Sequence, residues 1–146
     1  MTKKVMNFAT SIQLTIIFKG DLLKPSILTE KIGTAPTKSH EKGKRWITSS
    51  GAEVVEKTGL WRLSMRDDVG AGLSSLVKSL GAAVSGRCEQ LNQLPGVDSA
   101  CLDVLVMIPA DEDGGGTCEF ALDKDSVFVL EEIGLPINFT SAVIVP

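Results

Sequence analysis

The chain has 146 residues, 43% hydrophobic and 23% charged, with a net charge of −3 and a pI near 5.2. That size and balance fit one domain with an ordinary apolar core, which needs neither disulfides nor metal to fold. No apolar run reaches the roughly 18 residues of a membrane helix, so membrane insertion is not expected.

Lys3 and Lys4 precede an apolar region, as in a signal peptide. Ser11, Gln13 and Thr15 interrupt that region at every second position, which is strand alternation and not a continuous export segment. A cytoplasmic protein is expected. The first strand therefore carries Ile12, Leu14, Ile16 and Phe18 on one face and stops at Gly20. A helix is predicted over Pro25–Ile32. Pro25 suits the first helical position, where a missing N–H costs nothing, and Gly33 suits the position just past the end.

Residues 37–45, TKSHEKGKR, form a polar and mostly basic loop. Trp46 and Ile47 suggest a short strand, and residues 48–57 a loop or hairpin. A clearer strand runs from Gly59 to Met65. The longest helix starts after Asp67 or Asp68, either of which can cap free N–H groups. Its stripe is Leu73, Leu76, Val77, Leu80, Val84, Cys88 and Leu91, and Pro95-Gly96 ends it. Gly70, Gly72, Gly81 and Gly86 each weaken a helix interior by about 1 kcal/mol relative to Ala, so this stripe must pack on something.

Ala100, Leu102, Val104, Val106 and Ile108 share a face of the next strand, and Leu105 and Met107 on the other face mark it as central. Residues 111–116, DEDGGG, make a turn. A further strand is predicted with Cys118, Phe120 and Leu122 on one face. A helix follows from Asp123 or Asp125 to Gly134, and a last strand spans Ile137–Val145. The β-β junctions spoil a doubly wound order. The expected fold is α+β, a mostly antiparallel sheet with two or three helices packed on it, compatible with a ferredoxin-like core.

The punctuation also resembles a known family. Gly20-Asp21-Leu22, Pro25, Ile32-Gly33, Pro36-Thr37, Lys42-Gly43 and Gly59-Leu60-Trp61 come in order, followed after the long helix by Phe120-Ala121-Leu122 and residues 133–139, IGLPINF. This pattern, from about residue 10 to 145, is similar to the bacterial family catalogued as domain of unknown function 4279. The resemblance implies a fold and a bacterial origin. It transfers no activity and no catalytic residue.

Candidate chemistry is sparse. The three cysteines, Cys88, Cys101 and Cys118, have no close pair or C-x-x-C spacing, so they read as free thiols. Against a calcium loop beginning at Asp111, Asp113 and Gly116 fit positions 3 and 6, but Gly115 and Leu122 fail positions 5 and 12. No phosphate loop, nucleophile elbow or hydrolase triad can be assembled, with His40 as the only imidazole. No cofactor is implied. The one stretch that stands out interleaves positive charge with indoles, and His40, Lys42, Arg45, Trp46, Trp61 and Arg62 are the candidate binding residues. Trp61 is also a candidate for the core.

Charge is uneven. Residues 1–66 hold 12 Lys/Arg and 5 Asp/Glu, or +7, while residues 67–146 hold 3 and 13, or −10. Such asymmetry can mark a charged partner, but internal complementarity, with the two halves facing each other across one domain, is the expected reading, since halves of one small domain usually interleave. A non-enzymatic domain with a protein partner, of the immunity or neutraliser kind by size and fold class, is the leading expectation. A small-ligand protein or enzyme with a pocket near the basic-aromatic segment is the alternative. Nucleic-acid binding through residues 38–66 is a third, disfavoured by the acidic pI and by only five Phe, two Trp and no Tyr.

Overall fold

The computed structural model describes residues 10–67, 71–84 and 91–145. Seven strands and three helices occur among them: β1 (Ser11–Gly20), α1 (Pro25–Ile32), β2 (Lys38–His40), β3 (Arg45–Ile47), β4 (Glu53–Val55), β5 (Gly59–Asp67), α2 (Leu73–Val84), β6 (Ser99–Pro109), α3 (Lys124–Ile133) and β7 (Ile137–Ile144). The main sheet runs β2-β5-β1-β6-β7, and β3-β4 form a separate two-stranded ribbon. All pairings are antiparallel except β6 with β7, which is parallel. The α+β class with a mostly antiparallel sheet is as expected.

β5 and β6 are both antiparallel to β1 and flank it, so β5-α2-β6 is a split β-α-β unit, half of a ferredoxin-like core. The other half differs. Both edges of β1 are occupied, so the crossover through α3 adds β7 to the free edge of β6 instead.

Strand alternation divides the sheet into two faces. Leu14, Ile16 and Phe18 of β1, Trp61 and Leu63 of β5, and Leu102, Val104 and Val106 of β6 point to one side and are buried there. Leu28 and Ile32 of α1, Leu73, Val77 and Leu80 of α2, and Ile133 of α3 close over them in one cluster. Phe18 and Trp61 meet edge to face at 5.7 Å, and the Trp61 indole N–H donates to Thr29 Oγ1 at 3.0 Å, fixing α1 on the sheet. The other face carries Arg62, Ser64, Thr15, Ile17, Cys101 and Asp103, with Thr15 and Ser64 hydroxyls 2.9 Å apart.

Several local expectations are corrected. Residues 38–40, read as loop, form β2 by pairing Lys38 with Arg62 and His40 with Leu60. β5 runs two residues beyond Met65, and the buried Asp67 carboxylate accepts from the N–H groups of Ala71 and Gly72, at 3.0 and 2.8 Å, just ahead of α2. The described part of α2 stops at Val84, and Leu91–Gln93 make a 3-10 turn; Asp68, Gly70, Gly86 and Cys88 lie outside the described residues. Cys101 and Cys118 are free thiols.

No strand forms at residues 118–122. Cys118 and Leu122 pack on the core, and Phe120 stacks on Phe139 of β7 with centroids 6.3 Å apart. Packing across the sheet, and not a ladder, therefore produces the alternation there. At the 111–116 turn the Asp111 carboxylate accepts from the Asp113 N–H at 3.0 Å, a local turn contact. Among the described residues no group of three or more His, Cys, Asp and Glu could hold a metal, and no helix is long and apolar enough to cross a membrane.

Candidate functional site

The basic-aromatic segment folds into a small concavity where the ribbon joins the edge of the main sheet. β2 is the edge strand. Its antiparallel pairing with β5 puts Lys38, His40, Leu60 and Arg62 on the face away from the helices. The ribbon leaves from there. Gly43, at φ +86°, turns the chain, and its N–H donates to the Glu56 carbonyl at 2.8 Å. The Glu56 N–H donates to the Lys44 carbonyl at 2.9 Å, so Glu56 sits opposite Lys44 at the ribbon's base.

Glu56 is the clasp. Its Oε1 accepts the Trp46 indole N–H at 2.8 Å, and its Oε2 lies 3.4 Å from His40 Nε2. The same nitrogen is 3.1 Å from the Thr58 carbonyl. A carbonyl can only accept, so Nε2 carries the hydrogen and a neutral ring keeps Nδ1 as acceptor. His40 is buried, and Glu56 is only 23% exposed. One carboxylate thus ties the edge strand, the ribbon and the imidazole together.

Trp46 pairs with Val54, on the opposite ribbon face from Arg45, Ile47 and Val55. Trp46 remains 42% exposed despite the Glu56 contact, and Ile47 and Val55 are 73% and 48% exposed. The concavity beneath has a volume of about 270 Å³ and is lined by Lys38, Ser39, His40, Lys44, Trp46 and Glu56. Two further cations of the segment have their charges engaged: Lys42 Nζ is 3.2 Å from Asp21 Oδ2, and Arg45 is 3.3 Å from Glu53. Donation from Lys42, then from Thr58, lowers the Asp21 carboxyl below its ordinary value.

Of the six residues singled out from the sequence, His40 and Trp46 line the concavity, while Lys42 and Arg45 lie outside its lining and pair with Asp21 and Glu53. Trp61 does not take part: strand parity turns it to the helix side, where it is fully buried. Arg62 shares the open face with Lys38 and lies outside the lining, with a buried Nε. Glu56 and Ser39 went unnoticed in the sequence. Only the hairpin register, Trp46 with Val54, would have placed Glu56 opposite Lys44.

Residues 9–143 match the model of a protein family described as domain of unknown function (DUF4279). Neither the curated proteins nor the solved structures contain a match. The family match covers nearly the whole sheet and all three helices, and the chain belongs to the DUF4279 family.

Proposed function

We propose that this chain is a non-enzymatic interaction domain that recognises an acidic surface of a partner protein through its ribbon. The observation that carries the proposal is the exposure of Trp46, beside Lys38 and Lys44, on a ribbon braced by Glu56. An exposed indole on a braced ribbon suits the centre of an interface, where Trp and Arg concentrate binding energy. Bracing matters because a ribbon already held in place loses less entropy on binding.

Size and charge favour a protein partner over a free ligand. Pockets for small molecules usually hold about 300–1,000 Å³, and this one holds about 270 Å³. It suits one inserted side chain. Lys38 and Lys44 beside the indole favour a carboxylate. Support for nucleic acid is weaker, since Lys42 and Arg45 are engaged by Asp21 and Glu53. Support for an enzyme is weaker still. Ser39 is the only hydroxyl on the lining, and as the strand neighbour of His40 its side chain points to the other face. An immunity-type neutraliser in a bacterial cytoplasm is the job that size and fold class suggest for such a domain, by analogy alone.

The test is capture from native-host extract, at low and moderate salt, by wild type, Trp46→Ala and Lys44→Glu. Each variant is first checked for an unchanged circular-dichroism spectrum. One stoichiometric protein held by wild type should be lost from both variants, with affinity down about 30-fold or more for the tryptophan, as for a hot-spot side chain. Identical protein sets on all three, or nucleic acid in place of protein, overturns the proposal.

A further inference from the structure

The two edges of the main sheet are built differently. β2 is three residues long and carries Lys38. β7 is eight residues long, INFTSAVI, without a charge or an internal proline. Its register with β6 runs unbroken from Ile137 opposite Leu102 to Ile144 opposite Pro109, so no bulge twists it away. Short length, lysine, proline and bulges are the usual protections of a sheet edge. β2 has the first two and β7 has none. Among the described residues no strand pairs with the outer edge of β7.

The backbone shows which groups face outward. The Leu102 N–H donates to the Pro136 carbonyl at 2.8 Å, and the Ala110 N–H to the Ile144 carbonyl at 2.9 Å. Even-numbered residues therefore direct their peptide groups to β6. Ile137, Phe139, Ser141 and Val143 direct theirs outward. The side chains of the same residues stand on the helix side of the sheet, where Phe139 and Val143 are 55% and 44% exposed. Phe120, itself 41% exposed, extends this apolar strip by stacking on Phe139.

We infer that β7 pairs antiparallel with β7 of a second copy, giving a two-fold dimer with a continuous ten-stranded sheet. A two-fold axis at Ser141 sets Ser141 opposite its own copy and Phe139 opposite Val143 of the other chain. All the outward peptide groups then meet outward groups. Each exposed Phe139 covers a β-branched side chain, a favourable cross-strand pair. An isologous contact places every residue against its symmetry mate's counterpart, so a strand with no charge meets no like charge in the ladder. β2 lies at the opposite edge, so the dimer would carry one ribbon at each end. The inference does not rest on what the ribbon binds.

The test is sedimentation velocity on the full chain as wild type, Ser141→Lys, Ser141→Glu and an equimolar mixture of the two variants. Ser141 is exposed, so both variants should keep the wild-type circular-dichroism spectrum and melting temperature. Wild type should sediment as a dimer that dilution dissociates. Each variant alone should be a monomer at the same concentration, because two like charges meet at the axis. The mixture should recover a dimer, because lysine then faces glutamate. Wild type that stays monomeric up to about 1 mM overturns the inference and leaves the edge to a strand of another protein. A dimer that survives either substitution, or a mixture that stays monomeric, overturns the pairing at Ser141.

Discussion

Three glycines that punctuate the sequence meet at one corner of the molecule. A Cβ on Gly20 would collide with the carbonyl oxygen of Gly96, and one on Gly59 would lie 2.6 Å from the carbonyl oxygen of Gly20. A Cβ on Gly96, at φ +75°, would lie 2.5 Å from the carbonyl oxygen of Leu22. These neighbours are backbone and cannot rotate aside. Gly20→Ala should therefore cost at least the roughly 1–3 kcal/mol of overpacking. Gly43 is the control: it has φ +86° but open space, so Gly43→Ala should cost only the roughly 1–2 kcal/mol of a left-handed residue. Urea denaturation of both variants checks the order. If Gly43→Ala proves the more damaging, close approach is not what Gly20 is for. Gly20 and Gly59 also carry much of the family resemblance, so that part of the pattern encodes backbone packing and not chemistry. At the site, by contrast, His40 and Trp46 were legible as residue types, while Glu56 was hidden in a segment whose register the sequence does not reveal.

The elements differ in how fully their residues announce them. β1 and α1 were legible, because alternation, Pro25 and Gly33 are local signals that tertiary contacts reinforce. β2 was not, since three polar residues hold no periodicity and their strand state comes from β5. α3 was legible from its cap. Asp123 accepts from the Ser126 N–H at 2.8 Å, and its other oxygen is 2.8 Å from Lys78 of α2. The Lys78 contact, with Ser126 behind it, lowers the Asp123 carboxyl to about 2 from 3.8. A depressed carboxyl adds stability that is full above its unfolded value and fades as pH falls through the folded value. Asp123→Ala should therefore melt below wild type at pH 7, and the gap should narrow as pH falls from 3.8 toward 2. Thermal melts across that range check it. A constant gap would mean that Asp123 acts through packing and not through its charge.

At the scale of the molecule, the two halves of the chain supply different strands of the sheet. β2, β5 and β1 lie on one side of the sheet and come from the first half of the chain, β6 and β7 on the other and from the second. The pairs Lys42–Asp21, Arg45–Glu53 and Lys78–Asp123 each join residues of the same half. The ribbon and the uncharged β7 thus lie at opposite edges of the sheet, and the two proposed associations should answer salt differently. An acidic partner approaching the ribbon is steered by long-range attraction, which salt screens. Two copies meeting at β7 join uncharged strands, so salt has no attraction to screen there. The Debye length is about 10 Å at 0.1 M and about 3 Å at 1 M, so raising NaCl from about 50 mM to about 500 mM spans the change. Partner association should slow about tenfold or more over that range, the lower bound of steering, while the dimer's dissociation constant should not rise. Stopped-flow association with the captured partner and sedimentation equilibrium of the chain alone read the two separately. A dimer weakened by salt would mean that attractive charge, and not the uncharged β7 ladder, joins the copies.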